Sequence, residues 1–313
     1  MGYSRSRLTR DALYTSAAAV GGAGATWGAY TLLNRQARTA RTVIPHRTDK
    51  APSKDGVYSP GTTEVARPGP AHPADVKIMV FGDSTAAGLG VDDAEHTPGV
   101  LIARGVVAET GRTVQLAVKA IVGATSRGLA GQIEATFIAG HVPDVAVIIV
   151  GANDVTALNG IEPSARRLGA AVRQLRDAGA EVVVGTCPDI GVVQAIPQPL
   201  RSVIRSYGLQ LAARQRAHVL AAGGHPVPFA DTLTPEFLQA PETMFSPDHF
   251  HPSAAGYELA ARLLLPEVLA VLGEWHGPLP QPPEVSEAAD ARSLTGRLRR
   301  AEHRTGEGHP HPG

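Results

Sequence analysis

Apolar residues run in short, dense blocks through the middle of the chain, and amphipathic stretches fill the gaps between them. The blocks at 77–82, 114–119, 145–150, 181–186 and 226–230 have strand length, and each is apolar enough to lie in a sheet covered on both faces. Between them, Ala165 to Ala178 places Leu168, Val172 and Leu175 on one helical face, and Tyr257 to Leu272 repeats leucine and valine at helical spacing. Five alternating β-α units predict an α/β fold: one three-layer α/β/α domain around a five-stranded parallel sheet with right-handed crossovers.

The ends read differently. Residues 12–33 carry no charged side chain and lie between Arg5, Arg7 and Arg10 on one side and Arg35, Arg38 and Arg41 on the other. Their length is enough to cross a bilayer, although Gly21, Gly22, Gly24 and Gly28 make them only marginally apolar. Three readings stay open: a membrane anchor, an export signal cleaved near Ala23-Gly24-Ala25, and an alanine-rich surface helix. Residues 1–41 are therefore expected to be a signal or anchor segment that places the protein in the cell envelope, tethered or secreted. Residues 42–75, with six spaced prolines from Pro45 to Pro73, read as a linker. Residues 76–273 form the expected globular domain, and 274–313 a disordered tail.

The 313 residues suffice for one α/β domain of about 200 residues plus these appendages. Lysines and arginines number 29, equal to aspartates and glutamates, and no basic run is interleaved with aromatics, so nucleic acid is not an expected partner. Cys187 is the only cysteine, which excludes an internal disulfide and a cysteine-based metal cluster. No glycine-rich phosphate loop of the Walker or dinucleotide type is present, and no cofactor is expected.

Three strings carry chemistry. Gly82-Asp83-Ser84 ends the first apolar block, Gly151-Ala152-Asn153-Asp154 ends the third, and Asp248-His249-Phe250-His251-Pro252 precedes the last helical stretch. A hydroxyl needs a base, an orienter for that base and donors for the oxyanion before it can attack an ester. Ser84 supplies the hydroxyl, while His251 and Asp248, three residues apart, supply imidazole and carboxylate within one short turn. The Asn153 amide and the Ser84 N–H are candidate oxyanion donors, and Pro252 suits a helix start. Taken singly, each string has a plainer reading: a turn, an Asx-closed strand end, or half of a metal site completed by His249. Asp83 and Asp154 read as loop-holding carboxylates and His249 as a bystander. An α/β-hydrolase elbow is excluded because residue 86 is alanine where Gly-x-Ser-x-Gly needs glycine.

With these blocks in this order, the chain resembles the SGNH hydrolases of the GDSL esterase/lipase superfamily. The resemblance runs from about residue 76 to 273 and includes Pro252-Ser253-Ala254-Ala255-Gly256-Tyr257. Its four naming residues map to Ser84, Gly123, Asn153 and His251, with Asp248 completing an Asp-x-x-His pair. Thr85 stands where the GDSL name has leucine, and the asparagine frequent upstream of the second-block glycine is missing. The resemblance implies a flavodoxin-like strand order, a Ser84–His251–Asp248 triad, and an oxyanion hole of Ser84 N–H, Gly123 N–H and the Asn153 amide. It implies hydrolysis of carboxylic esters, with short acyl or acetyl groups on envelope lipid or polysaccharide as the expected substrates. An acyltransferase using the same triad, or a tethered glycan-binding protein on an inactive scaffold, are the alternatives.

Overall fold

The computed structural model describes residues 31, 32, 35, 36 and 50–283. Most of the 12–33 stretch, its Ala23-Gly24-Ala25 site and the tail from 284 onward lie outside the described residues. Among the described residues no helix is long and apolar enough to cross a membrane.

A single sheet organises the chain: β1 (Gly56–Tyr58), β2 (Val65–Ala66), β3 (Val76–Gly82), β4 (Val114–Val118), β5 (Val145–Ile149), β6 (Glu181–Gly185) and β7 (His225–Val227). Their order is β2-β1-β4-β3-β5-β6-β7. From β4 to β7 every pairing is parallel, which is the doubly wound, flavodoxin-like order expected from the resemblance. The five apolar blocks form these strands to within a residue or two, except that β7 stops at Val227. Pro228 has no N–H to continue a ladder, and a short helix starts at Phe229.

The sheet has seven strands where five were expected. The added pair, β1 and β2, is antiparallel and comes from the stretch read as a linker; Tyr58 pairs with Val114, and Gly56 with Leu116. Tyr58 is 2% exposed and belongs to the main core cluster, so this stretch contributes to the fold and is not only a spacer. At the other end, Trp275 packs against the same cluster, so ordered packing extends past residue 273.

Alternating side chains divide the core into two faces. Ile78, Val80, Val145 and Val147 meet Ile102 and Val106 of the helix Pro98–Thr110 and Leu264 and Val268 of the helix Ala254–Val271. Met79, Phe81, Ala146 and Ile148 meet Ile133 of Leu129–Ile138, Leu168 and Val172 of Ile161–Asp177, and Val219 of Leu200–Ala221. Strands β3, β5 and β6 are covered on both sides, which is why their blocks read as continuous apolar runs rather than as alternation. The central strand β3 points its C-terminal end, with Gly82 and Ser84, between the loops that follow β4 and β5. That crevice at the reversal of strand order is where open α/β sheets place ligands.

Candidate active site

Ser84 opens a one-turn helix, Ser84–Ala87, directly after β3. The chain can turn there because Gly82 sits at φ +136°, and a Cβ at that position would lie 1.9 Å from the Ile149 carbonyl oxygen. Asp83 caps the turn: its carboxylate accepts from the Thr85 N–H at 2.9 Å. It is 1% exposed, and burial raises its carboxyl to about 6, against the pull of hydrogen bonds from the Thr85 and Gly151 N–H groups. Through Gly151, the first string is tied to the second.

The histidine string is a compact loop. The Ser246 N–H donates to the His251 carbonyl at 2.8 Å, the Ser253 N–H to Met244 at 2.9 Å, and Phe245 bridges Pro252. Pro252 thus makes a short bridge, and Ser253 takes the helix-capping position, accepting from the Gly256 N–H ahead of Ala254. Asp248 Oδ1 accepts three hydrogen bonds, from Ser246 Oγ at 2.8 Å and from the N–H groups of Phe250 at 2.9 Å and His251 at 2.8 Å. Its Oδ2 lies 2.8 Å from His251 Nδ1. Burial pushes the Asp248 carboxyl up, but the hydrogen bonds from the His251 ring, His251 N–H and Phe250 N–H outweigh it and hold the group well below the usual carboxylate range.

A carboxylate can only accept, so Nδ1 carries the proton and Nε2 is left as an acceptor. Nε2 lies 3.0 Å from Ser84 Oγ. Ser84, His251 and Asp248, up to 167 residues apart in sequence, therefore form one continuous hydrogen-bonded chain from hydroxyl to carboxylate, with Ser84 and His251 both 7% exposed. The Phe250 ring stands edge-on to the imidazole with centroids 5.0 Å apart. Tyr257 donates its hydroxyl to the Leu89 carbonyl at 2.6 Å, fastening the helix after His251 to the turn after Ser84. His249 is exposed at φ +56°, and its ring makes no hydrogen bond among the described residues.

Gly123 occupies the tight turn Ile121–Ala124 at φ +81°, closed by the Ala124 N–H on the Ile121 carbonyl at 3.0 Å. Asn153 lies in the first turn of the helix Ala152–Thr156, and its Nδ2 donates to the Ala124 carbonyl at 2.9 Å. The Gly151–Asp154 string is thus joined directly to the Gly123 turn. Asp154, 1% exposed, accepts from Ser126 N–H and Oγ at 2.8 Å each and from Ser164 Oγ at 2.9 Å, the loop-holding role its position suggested.

Two buried amides were not singled out in the sequence. Gln132 grips Gly82, and Gln215 accepts from the Cys187 N–H at 2.6 Å while donating to the Val150 carbonyl at 3.0 Å. Their signal was weak: each is a lone polar residue at an inward position of a helix. Cys187 is fully buried, and burial pushes its thiol up, away from reactivity. Among the described residues no group of three or more His, Cys, Asp or Glu side chains is placed to hold a metal ion.

Comparison with known proteins bears on the family. The model of the GDSL-like lipase/acylhydrolase family matches residues 80–259. The chain is 55% identical to a GDSL-like esterase of Mycobacterium tuberculosis over 258 residues, 82% of each protein. Among solved structures, a lipase/acylhydrolase from Enterococcus faecalis is similar at 24% identity and a TM-score of 0.49, covering 62% of this chain and 96% of that one. An acetylxylan esterase from Geobacillus stearothermophilus is similar at 21% identity and a TM-score of 0.46, covering 66% of this chain and 98% of that one. On the family match over more than half of its length and the 55% identity, the chain belongs to the GDSL-like lipase/acylhydrolase family and is a carboxylic ester hydrolase.

Proposed function

We propose that the enzyme cleaves esters by two-step acyl transfer through Ser84, His251 and Asp248. The observation that carries this reading is the unbroken chain Ser84 Oγ, His251 Nε2, His251 Nδ1, Asp248 Oδ2, with spacings of 3.0 and 2.8 Å. Ser84 attacks the ester carbonyl as His251 takes its proton; the imidazolium, held by Asp248, returns the proton to the leaving alcohol. Water, deprotonated by the same imidazole, then releases the acid. The N–H groups of Ser84 and Gly123 and the second hydrogen of the Asn153 amide serve the oxyanion in both steps. Neither N–H has a hydrogen-bond acceptor among the described residues, which suits them to that task.

The substrate assigned is an ester of a short acyl or acetyl group on envelope lipid or polysaccharide. Two features support it: the low aromatic content, two tryptophans and six phenylalanines, and the uncharged stretch 12–33 flanked by arginines, which fits export to or attachment at the envelope.

The full chain is tested on p-nitrophenyl esters from acetate to palmitate, alongside Ser84→Ala and a fluorescent active-site phosphonate. The expected result is an optimum at the short esters, labelling of the wild type, and a loss of turnover of roughly 10⁶-fold with no label in Ser84→Ala. Wild-type turnover in Ser84→Ala would remove the serine from the mechanism. A folded wild type that neither turns over nor labels would point to a binding protein on an inactive scaffold.

A further inference from the structure

We propose that Gln132 is a positioning residue for the reaction, its buried amide fixing the spacing between the nucleophile turn and the loop that carries Gly123. The inference rests on the reading above, in which Ser84 N–H and Gly123 N–H serve one oxyanion.

Gly82 ends β3 opposite Ile149, the last residue of β5, at a point where β4 has already ended at Val118. Asp83 N–H still reaches the Ile149 carbonyl at 3.2 Å, but Gly82 N–H has no strand acceptor. Gln132 supplies one. Its Oε1 accepts from Gly82 N–H at 2.9 Å, and its Nε2 donates to the Gly82 carbonyl at 2.8 Å. That carbonyl also accepts from Ile121 N–H at 3.1 Å. Ile121 precedes Gly123 by two residues and Gln132 follows it by nine, so both flanks of the Gly123 loop fasten to one residue, itself two positions before Ser84.

The two contacts of Gln132 need a donor and an acceptor side by side, at a site 4% exposed. Only a primary amide or a protonated carboxylic acid of this length provides both. Leucine fills the space with neither. A glutamate carboxylate keeps the acceptor and turns the donor into a second acceptor, facing the Gly82 carbonyl; protonation restores the missing donor. Burial raises a carboxyl, which brings this exchange into the range where an esterase is assayed.

The oxyanion forms only in the transition state, so misplaced donors lower kcat and leave ground-state binding alone. Displacement of about 1 Å is enough for a loss of about 100-fold. A residue needed only for stability would change the folded fraction, not the turnover of the folded protein.

The experiment compares full-length wild type, Gln132→Leu, Gln132→Glu and Ser84→Ala on p-nitrophenyl acetate. Circular dichroism establishes that each is folded at every pH used. The expected result is kcat lowered about 100-fold in Gln132→Leu, with KM within about twofold of wild type. The ratio of kcat for Gln132→Glu to wild type should climb as pH falls from about 8 to about 6, a ratio in which the titration of the triad itself cancels. Wild-type kcat in folded Gln132→Leu, or a flat ratio for folded Gln132→Glu, overturns the proposal; if Gln132→Leu does not fold, the ratio decides. Ser84→Ala separates the two failures: if it is inactive while both Gln132 variants match wild type, only the role of Gln132 falls, whereas if it stays active the serine mechanism falls first.

Discussion

Replacing Asp248 by asparagine changes one oxygen to an NH₂ group, and the surrounding donors dictate which one. Oδ1 accepts from two backbone N–H groups and the Ser246 hydroxyl, all between 2.8 and 2.9 Å, whereas Oδ2 faces His251 Nδ1 at 2.8 Å. Placing the NH₂ at the Oδ1 site would set it against two N–H donors and leave them unsatisfied, about 1–3 kcal/mol each. The asparagine therefore keeps its oxygen there and presents NH₂ to Nδ1. Nδ1 must then accept, the ring proton moves to Nε2, and the atom 3.0 Å from Ser84 Oγ is no longer a base. The expected loss in kcat is roughly 10⁴-fold, the scale of a wrong-tautomer histidine. At 1.36 kcal/mol per tenfold this is about 5 kcal/mol of barrier. The fold should survive, at a cost of about 1–3 kcal/mol as the Oδ1 hydrogen bonds lose their charge assistance. Steady-state turnover on p-nitrophenyl acetate, with urea unfolding of the same preparation, measures both quantities. An asparagine variant within tenfold of wild type, folded and free of deamidation by mass spectrometry, would refute the tautomer argument.

Asn153→Ala removes one oxyanion donor and should lower kcat by roughly 100- to 1,000-fold, about 2.7–4 kcal/mol; an unchanged rate would take the amide out of the mechanism. Asp83 gives a pH signature in stability. Its carboxyl lies near 6 in the fold against 3.8 for the ordinary side chain, so between those values the unfolded chain has released a proton that the folded protein still holds. Stability from this group is complete below about pH 4 and falls by up to about 3 kcal/mol as pH rises through 6. Urea midpoints from pH 4 to 8 should show that decline in wild type and not in Asp83→Asn; parallel curves would refute it.

Legibility in the sequence followed the range of the interactions. β3, β5 and β6 are covered on both faces by helices, so burial imposed long apolar runs visible without any partner. Ser84, Asn153, Asp248 and His251 were visible because each sits in a short local string whose backbone geometry is set by its own neighbours. β1 and β2, three and two residues long, have no period to read; their place depends on the pairing of Tyr58 with Val114, a contact across more than fifty residues. Pro252 suggested a helix start because proline suits the first turn, but the bridge to Phe245 claimed it and Ser253 took the cap. Gln132 and Gln215 escaped notice because a buried amide acquires meaning only from the peptide groups opposite it.

The pairing of β1 along β4 bears on how the enzyme can be handled. β4 has β3 on one side and only the three residues Gly56–Tyr58 on the other. A shortened protein starting at residue 76, where the run of apolar blocks begins, would strip that cover and leave the outward N–H and C=O groups of Val114–Val118 unpaired. Such an open border recruits another copy of itself, and soluble oligomers or precipitate would be mistaken for an inactive enzyme. A recombinant boundary placed ahead of Gly56 keeps the sheet closed on that flank.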